Sequence, residues 1–144
     1  METSKVIFVD SNYFIGLSNP ADLLYARARK IAQSIQDDIL VLSNFVFGEV
    51  VTVVSQRRSR EAGIEAGQYI LSHPRIRFVH IDENLQKESW RIFQEIQSKN
   101  ISFVDCSIIA AMNAEDISTL LTFDRSDFAA LQKQYRFSLY KDLV

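Results

Sequence analysis

Two runs of four consecutive apolar residues, Val6–Val9 and Ile39–Leu42, carry no polar alternation. That pattern belongs to strands covered on both faces, as at the centre of a parallel sheet. Arg77–Ile81 alternates instead, which predicts a third strand in a less buried place. Leu120–Phe123 predicts a fourth, ending on Asp124, and Phe137–Tyr140 a short edge strand; the ending Tyr140–Val144 is poorly marked. Between the strands the period becomes helical. Ser11 or Asn12 caps a short turn ending at Gly16 or Asn19, and Pro20 opens a helix through Leu23, Leu24, Ala28 and Ile31 to about Ile35. Ser43 or Asn44 caps a helix that fades into Arg57, Arg58 and Arg60, and residues 61–72 form the second arm of a helical hairpin ending at His73-Pro74. Asp82 caps a long amphipathic helix through Leu85, Trp90, Ile92, Phe93 and Ile96, which Asn100 closes. Cys106–Ala114 is a buried helix of small and aliphatic residues, and Ser126 and Asp127 begin a last one through Leu131. The order βαβααβααβαβ predicts a single α/β domain over residues 1–144, three layers deep, with a central parallel sheet of about five strands flanked by helices.

Composition narrows this little: 144 residues, 47% hydrophobic and 24% charged, describe one ordered globular domain without repeats. The apolar runs are far shorter than a membrane span, and the N-terminus leads into a strand instead of a signal peptide, so a soluble, cytoplasmic protein with no membrane association is expected. The single cysteine, Cys106, excludes an internal disulfide and a cysteine-based zinc site, and His73 and His80 lack the spacing of a zinc-binding pair. Beside Asp105, Cys106 is a small packing residue before it is a nucleophile. The net charge of −2 speaks weakly against a nucleic-acid binder. Four acids gathered around metal would leave −2 + 4 = +2 for the rest of the chain.

Four acids stand out. Asp10 follows the first buried strand, in the crevice where open α/β sheets bind ligands, although an aspartate at such a turn also serves as a helix cap. Glu49 has Phe45, Val46, Thr52 and Val53 at helical neighbour positions, with no lysine or arginine among them. An unpaired buried glutamate is rare, so a metal or a clustered site is expected to accompany it. Asp105 completes a capping box with Ser102, which still leaves its carboxylate in the first turn at the top of the sheet. Asp124 repeats the situation of Asp10. Asp127, three residues on, is peripheral and complements the helix dipole.

Converging carboxylates raise one another's pKa values unless a cation compensates them. Oxygen donors without cysteine or histidine select Mg²⁺ or Mn²⁺, and such ions serve phosphodiester hydrolysis. Ser11 and Asn12 are then supporting polar groups that hold a carboxylate or a water.

FVDSN at the first strand, a lone glutamate in an apolar helix, FVDCSIIAAM and LLTFDRSDF, in that order, resemble the PIN-domain nucleases, most closely the small toxin subunits of VapBC-type toxin–antitoxin pairs. The resemblance implies that Asp10, Glu49, Asp105 and Asp124 bind Mg²⁺ or Mn²⁺, and that Asn12, Thr122 and Asp127 match the family's accompanying polar residues. It further implies a five-stranded parallel sheet, endoribonuclease activity on RNA, a homodimer and inhibition by an antitoxin protein.

Arg57, Arg58 and Arg60 are candidates for RNA phosphate contacts beside the site, set against the plainer reading of dipole-complementing cations in solvent. Trp90, Phe93 and the other aromatics of the long helix read as core. Two other functions compete. A haloacid-dehalogenase-type phosphatase also begins with a strand ending in aspartate, but it needs a second acid where this chain has Asn12. A PIN-like module that binds RNA or protein without catalysis would keep the fold alone.

Overall fold

The computed structural model describes residues 4–141; Asp142–Val144, the end of the poorly marked C-terminal segment, lie outside the described residues. Five strands form one parallel sheet: β1 (Val6–Val9), β2 (Ile39–Ser43), β3 (Ile76–Val79), β4 (Thr119–Leu121) and β5 (Ser138–Leu139), in the order β3-β2-β1-β4-β5. β1 is central, and Ile7, Phe8 and Val9 are fully buried, as four apolar residues in a row require. β3 lies at one edge, which explains its exposed Arg77 and Phe78.

The helices follow as α1 (Ser11–Leu17), α2 (Tyr25–Ser34), α3 (Asn44–Arg57), α4 (Arg60–Ser72), α5 (Glu83–Glu95), α6 (Phe103–Ala114), α7 (Arg125–Ala129) and α8 (Gln132–Tyr135). Right-handed crossovers place α1–α4 on one face, because β1, β2 and β3 advance in one direction, and α5–α8 on the other, because the chain then returns past β1 to β4 and β5. The packing agrees: α1 meets α2 and α3, α3 meets α4, and α5 packs along α6. The α3–α4 hairpin is close enough that a Cβ on Gly63 would stand 2.0 Å from Ser55 Oγ. Among the described residues, no helix is long and apolar enough to cross a membrane.

The structure corrects several expected boundaries. Pro20 does not open α2: Asn19 Oδ1 accepts from Ala21 N–H at 3.0 Å and Asp22 Oδ1 from Leu24 N–H at 2.8 Å, so two local turns displace the first helical turn and leave Leu23 fully exposed. β4 stops at Leu121, and Thr122–Asp124 form a loop. The last helix divides into α7 and α8, closed by Arg136 at φ 58°. α5 ends at Glu95, five residues before Asn100.

The main correction concerns the aromatics of α5. Its core-facing row is Leu85, Ser89 and Ile92 at helical spacing, continued by Ile96 just past the helix end, with Ser89 Oγ donating to Leu85 O at 2.6 Å. Trp90 and Phe93 stand one residue further round the helix from Ser89 and Ile92, and are exposed instead of core.

Candidate active site

The strand order reverses between β1 and β4, and the crevice at the carboxyl ends of such a pair is where open α/β sheets bind ligands. Asp10 follows β1 and Thr122–Asp124 follow β4, with Asp10 N–H donating to Leu121 O at 2.9 Å. α3 leaves this end of the sheet and α6 starts from it, which brings Glu49 and Asp105 to the same side.

Asp10 is buried and is the N-cap of α1, the one of the three cap candidates Asp10, Ser11 and Asn12 that takes the role. Its Oδ1 accepts from Ser11 N–H at 2.7 Å and its Oδ2 from the Thr122 hydroxyl at 2.8 Å. Burial first, and then the charge of Asp105, push its carboxyl up to about 7, with Asp124 adding to the rise and the Thr122 and Ser11 hydrogen bonds opposing it. Capping and a strongly perturbed acid are thus combined in one residue.

Glu49 is half-buried, and the partner its apolar neighbours could not supply is the Ser11 hydroxyl, which donates to Glu49 Oε1. Asp105 completes the capping box: its Oδ2 accepts from Ser102 N–H at 2.9 Å while Asp105 N–H donates to Ser102 Oγ at 3.0 Å. Burial raises the Asp105 carboxyl, the Ser102 bonds oppose this, and the charges of Asp124 and Glu49 raise it further. Asp124 is exposed at the start of α7, where its side chain makes no cap bond. Asp127 lies in the first turn of α7, half-buried.

Asn12 and Thr122 tie the two loops together. Asn12 Oδ1 accepts from Phe123 N–H at 3.1 Å, its amide donates to Thr122 Oγ1 at 3.4 Å, and Asp124 N–H donates to the same oxygen at 3.0 Å. The hydroxyl therefore links Asp10, Asn12 and Asp124 through one atom. Cys106 is fully buried behind Asp105, and burial pushes its thiol up to about 11, so it is a packing group and not a soft metal ligand.

Among the described residues, no three acid, histidine or cysteine side chains stand close enough to hold a metal ion as they are. In kind the donors fit a hard divalent cation: four carboxylates at one end of the sheet, of which Asp10 and Asp105 are raised by burial and by neighbouring negative charge, with oxygen donors only.

The arginines considered for RNA lie apart from this cluster. Arg57 and Arg58 follow Glu49 by eight and nine residues, about 12 Å along the helix axis. Arg57 pairs with Asp22 at 3.8 Å and Arg58 donates to Ser18 O at 2.6 Å, both in the segment joining α1 and α2. Arg60 opens α4 and borders the α3–α4 groove.

Residues 7–134 match the family model of the PIN domain. Over 125 residues the chain is 29% identical to the 23S rRNA-specific endonuclease VapC20 of Mycobacterium tuberculosis, covering 87% of this chain and 93% of that protein. The crystal structure of M. tuberculosis VapC20, described as a sarcin-ricin loop cleaving toxin, superposes with a TM-score of 0.78 at 27% identity, over 86% of this chain and 94% of that one. A toxin–antitoxin complex from Klebsiella pneumoniae shares the fold at a TM-score of 0.65 and 16% identity, over 94% and 97% of the two chains.

Proposed function

The chain belongs to the PIN domain family, and from that premise we propose that residues 1–144 act as one metal-dependent endoribonuclease domain, the toxin of a toxin–antitoxin pair. Its site is Asp10, Glu49, Asp105 and Asp124, which would hold Mg²⁺ or Mn²⁺. The observation that carries this reading is Asp10, a buried carboxyl that sits at the strand-order reversal and is pushed up to about 7 by burial and by the charges of Asp105 and Asp124. A strongly perturbed acid in a crevice is a functional-site candidate, because acid–base and metal chemistry need such shifts.

When bound, the cation supplies Lewis-acid polarisation of a phosphoryl oxygen and acidifies water. The chain supplies the placement. Ser11 N–H and the Thr122 hydroxyl fix both oxygens of Asp10, so this carboxylate is set before any ligand arrives. The Ser11 hydroxyl orients Glu49, and the first turn of α6 holds Asp105 on the crevice side. Thr122 and Asn12 keep the loop bearing Asp124 against α1. Asp127 stands one helical turn further along α7 as a supporting charge.

The relatives support the substrate class and the partner. RNA is the substrate class of VapC20, and a solved neighbour is a toxin–antitoxin complex. We accordingly propose an antitoxin protein as partner, and with the family resemblance alone behind them a homodimer and a cytoplasmic site of action. The phosphatase alternative loses ground at Asn12, whose oxygen accepts from Phe123 N–H and whose amide donates to Thr122, so it has no proton to give a leaving group.

Incubating the purified protein with mixed-sequence single-stranded RNA and with ribosomal RNA, in Mg²⁺, Mn²⁺ or EDTA, tests the proposal. Cutting of at least one RNA with either ion and none with EDTA is the expected result. Undiminished cutting in EDTA, or intact RNA throughout with folded, metal-loaded protein, contradicts it.

A further inference from the structure

Resting on the ribonuclease reading above, we propose that Arg27 is a positioning residue for Asp124: laid over the Phe123 ring, its guanidinium fixes the loop that carries this acid to the crevice. Arg27 Cζ stands 4.7 Å from the centre of the ring, and Phe123 is the residue immediately before Asp124. The contact joins α2 to the end of β4, so a helix that supplies no acid of its own reaches the site through one ring.

The loop is otherwise held from one side. β4 stops at Leu121, so residues 122–124 lie beyond the sheet ladder, and α7, which follows, is five residues long. From the crevice side, Asn12 Oδ1 accepts from Phe123 N–H at 3.1 Å and Thr122 Oγ1 from Asp124 N–H at 3.0 Å. Both bonds hold backbone. The Asp124 side chain is exposed and makes no cap bond, so the direction of its carboxylate follows the seating of the backbone that bears it. Phe123 is half-buried against the core, and Arg27 covers its ring from α2. Asn12 and Arg27 thus grip the same residue, one by its amide and the other by its side chain.

Arg27 occupies a costly place for a cation. It lies in the first turn of α2, where the positive end of the helix dipole opposes its charge, and is half-buried beside the fully buried Ala28. The electron-rich face of Phe123 offsets part of that cost. A planar guanidinium stacks on a ring face as an ammonium does not, so lysine is an incomplete substitute. The turns at Asn19 and Asp22 serve the same contact: by moving the start of α2 to Tyr25 they fix the point on the helix from which Arg27 reaches Phe123.

Arg27→Met, Arg27→Lys, Phe123→Leu and the double variant Arg27→Met/Phe123→Leu test this against wild type, with circular dichroism confirming the fold of each. In metal-free protein, amide hydrogen exchange over residues 122–124 should quicken several-fold in Arg27→Met, less in Arg27→Lys, and no further in the double variant than in Phe123→Leu. Mn²⁺ affinity in calorimetry should weaken in the same order. Cleavage by Arg27→Met should lose roughly ten-fold in kcat with KM nearly constant. RNA binding in EDTA should keep its wild-type salt dependence. Wild-type exchange, Mn²⁺ affinity and kcat in Arg27→Met overturn the positioning role and leave the nuclease standing. A salt slope of RNA binding reduced by about 0.7, with KM raised and exchange unchanged, makes Arg27 a direct phosphate contact and also overturns it. A wild type that neither binds Mn²⁺ nor cuts RNA removes the ribonuclease reading, and the role of Arg27 with it, whatever the exchange rates.

Discussion

Asp10→Asn is expected to remove RNA cleavage, by 10²- to 10³-fold or more on the scale of losing a central electrostatic group, and yet to stabilise the metal-free protein at neutral and alkaline pH. The asparagine keeps the shape, can still accept from Ser11 N–H through its carbonyl, and can donate to Thr122 Oγ1. What it loses is a charge that burial and two neighbouring carboxylates oppose.

The sign follows from proton binding. The folded-state value of about 7 lies above the ordinary 3.8, so between those values the native chain holds a proton that the unfolded chain has released. Stability is therefore full below about pH 4, falls as pH rises, and stays low above about pH 7. Three units correspond to on the order of 4 kcal/mol, or about 10 °C in Tm for a chain of this size. Asp105, also raised, adds to the same trend. Thermal unfolding in EDTA at about pH 4 and pH 8 should show wild type losing stability with pH and Asp10→Asn losing much less. A wild type equally stable at both pH values would refute the burial of a strained acid.

Thr122→Val should damage both fold and site, whereas Thr122→Ser should preserve both. The side chain is only 2% exposed, and its one oxygen donates to Asp10 while accepting from Asp124 N–H and the Asn12 amide. Valine fills the same volume but leaves buried polar groups without that partner, a loss of about 1–3 kcal/mol. It also removes a hydrogen bond that holds the Asp10 carboxyl down, so that group rises further. Activity should fall about 10- to 100-fold, the scale for removing a residue that orients a metal ligand. The loss should lie in kcat more than in KM, since Thr122 orients the acids and is buried away from the RNA. Urea unfolding and steady-state cleavage by the valine and serine variants check both parts; valine with wild-type stability and kcat would refute the hydroxyl's role.

The centre of the fold was legible because β1 and β2 are unbroken apolar runs, a pattern that a doubly covered strand demands. The acids at the carboxyl ends of β1 and after β4 followed from the same reasoning. Glu49 was legible as a carboxylate in apolar company, and Ser11 as a group that holds a carboxylate; that the two meet was not, because Ser11 lies 38 residues away and reaches Glu49 only through packing of α1 on α3. Asp105 is a cap and a member of the acid cluster together, as its place in the first turn of α6 allows.

At α2 and α5, two places where expectation failed, a short polar residue had outcompeted the apolar pattern. Asn19 and Asp22 captured backbone amides and delayed α2. Ser89, whose hydroxyl can turn back onto its own helix, occupied the core face of α5 and displaced two large aromatics to the surface. A helical row of Leu85, Ser89, Ile92 and Ile96 was available from the sequence, but hydrophobicity alone ranks Trp90 and Phe93 above a serine.

The central claim is that four carboxylates act as one cation site, and its most direct test is calorimetric titration of wild-type and Asp10→Asn protein with Mn²⁺ near pH 6, in buffers of different ionisation enthalpy. At that pH, Asp10 in the metal-free wild type is largely protonated. Saturable binding with proton release in wild type, and weakened binding without that release in Asp10→Asn, is the predicted result. Equal Mn²⁺ binding by both proteins with no proton release, or no binding by either, would contradict it.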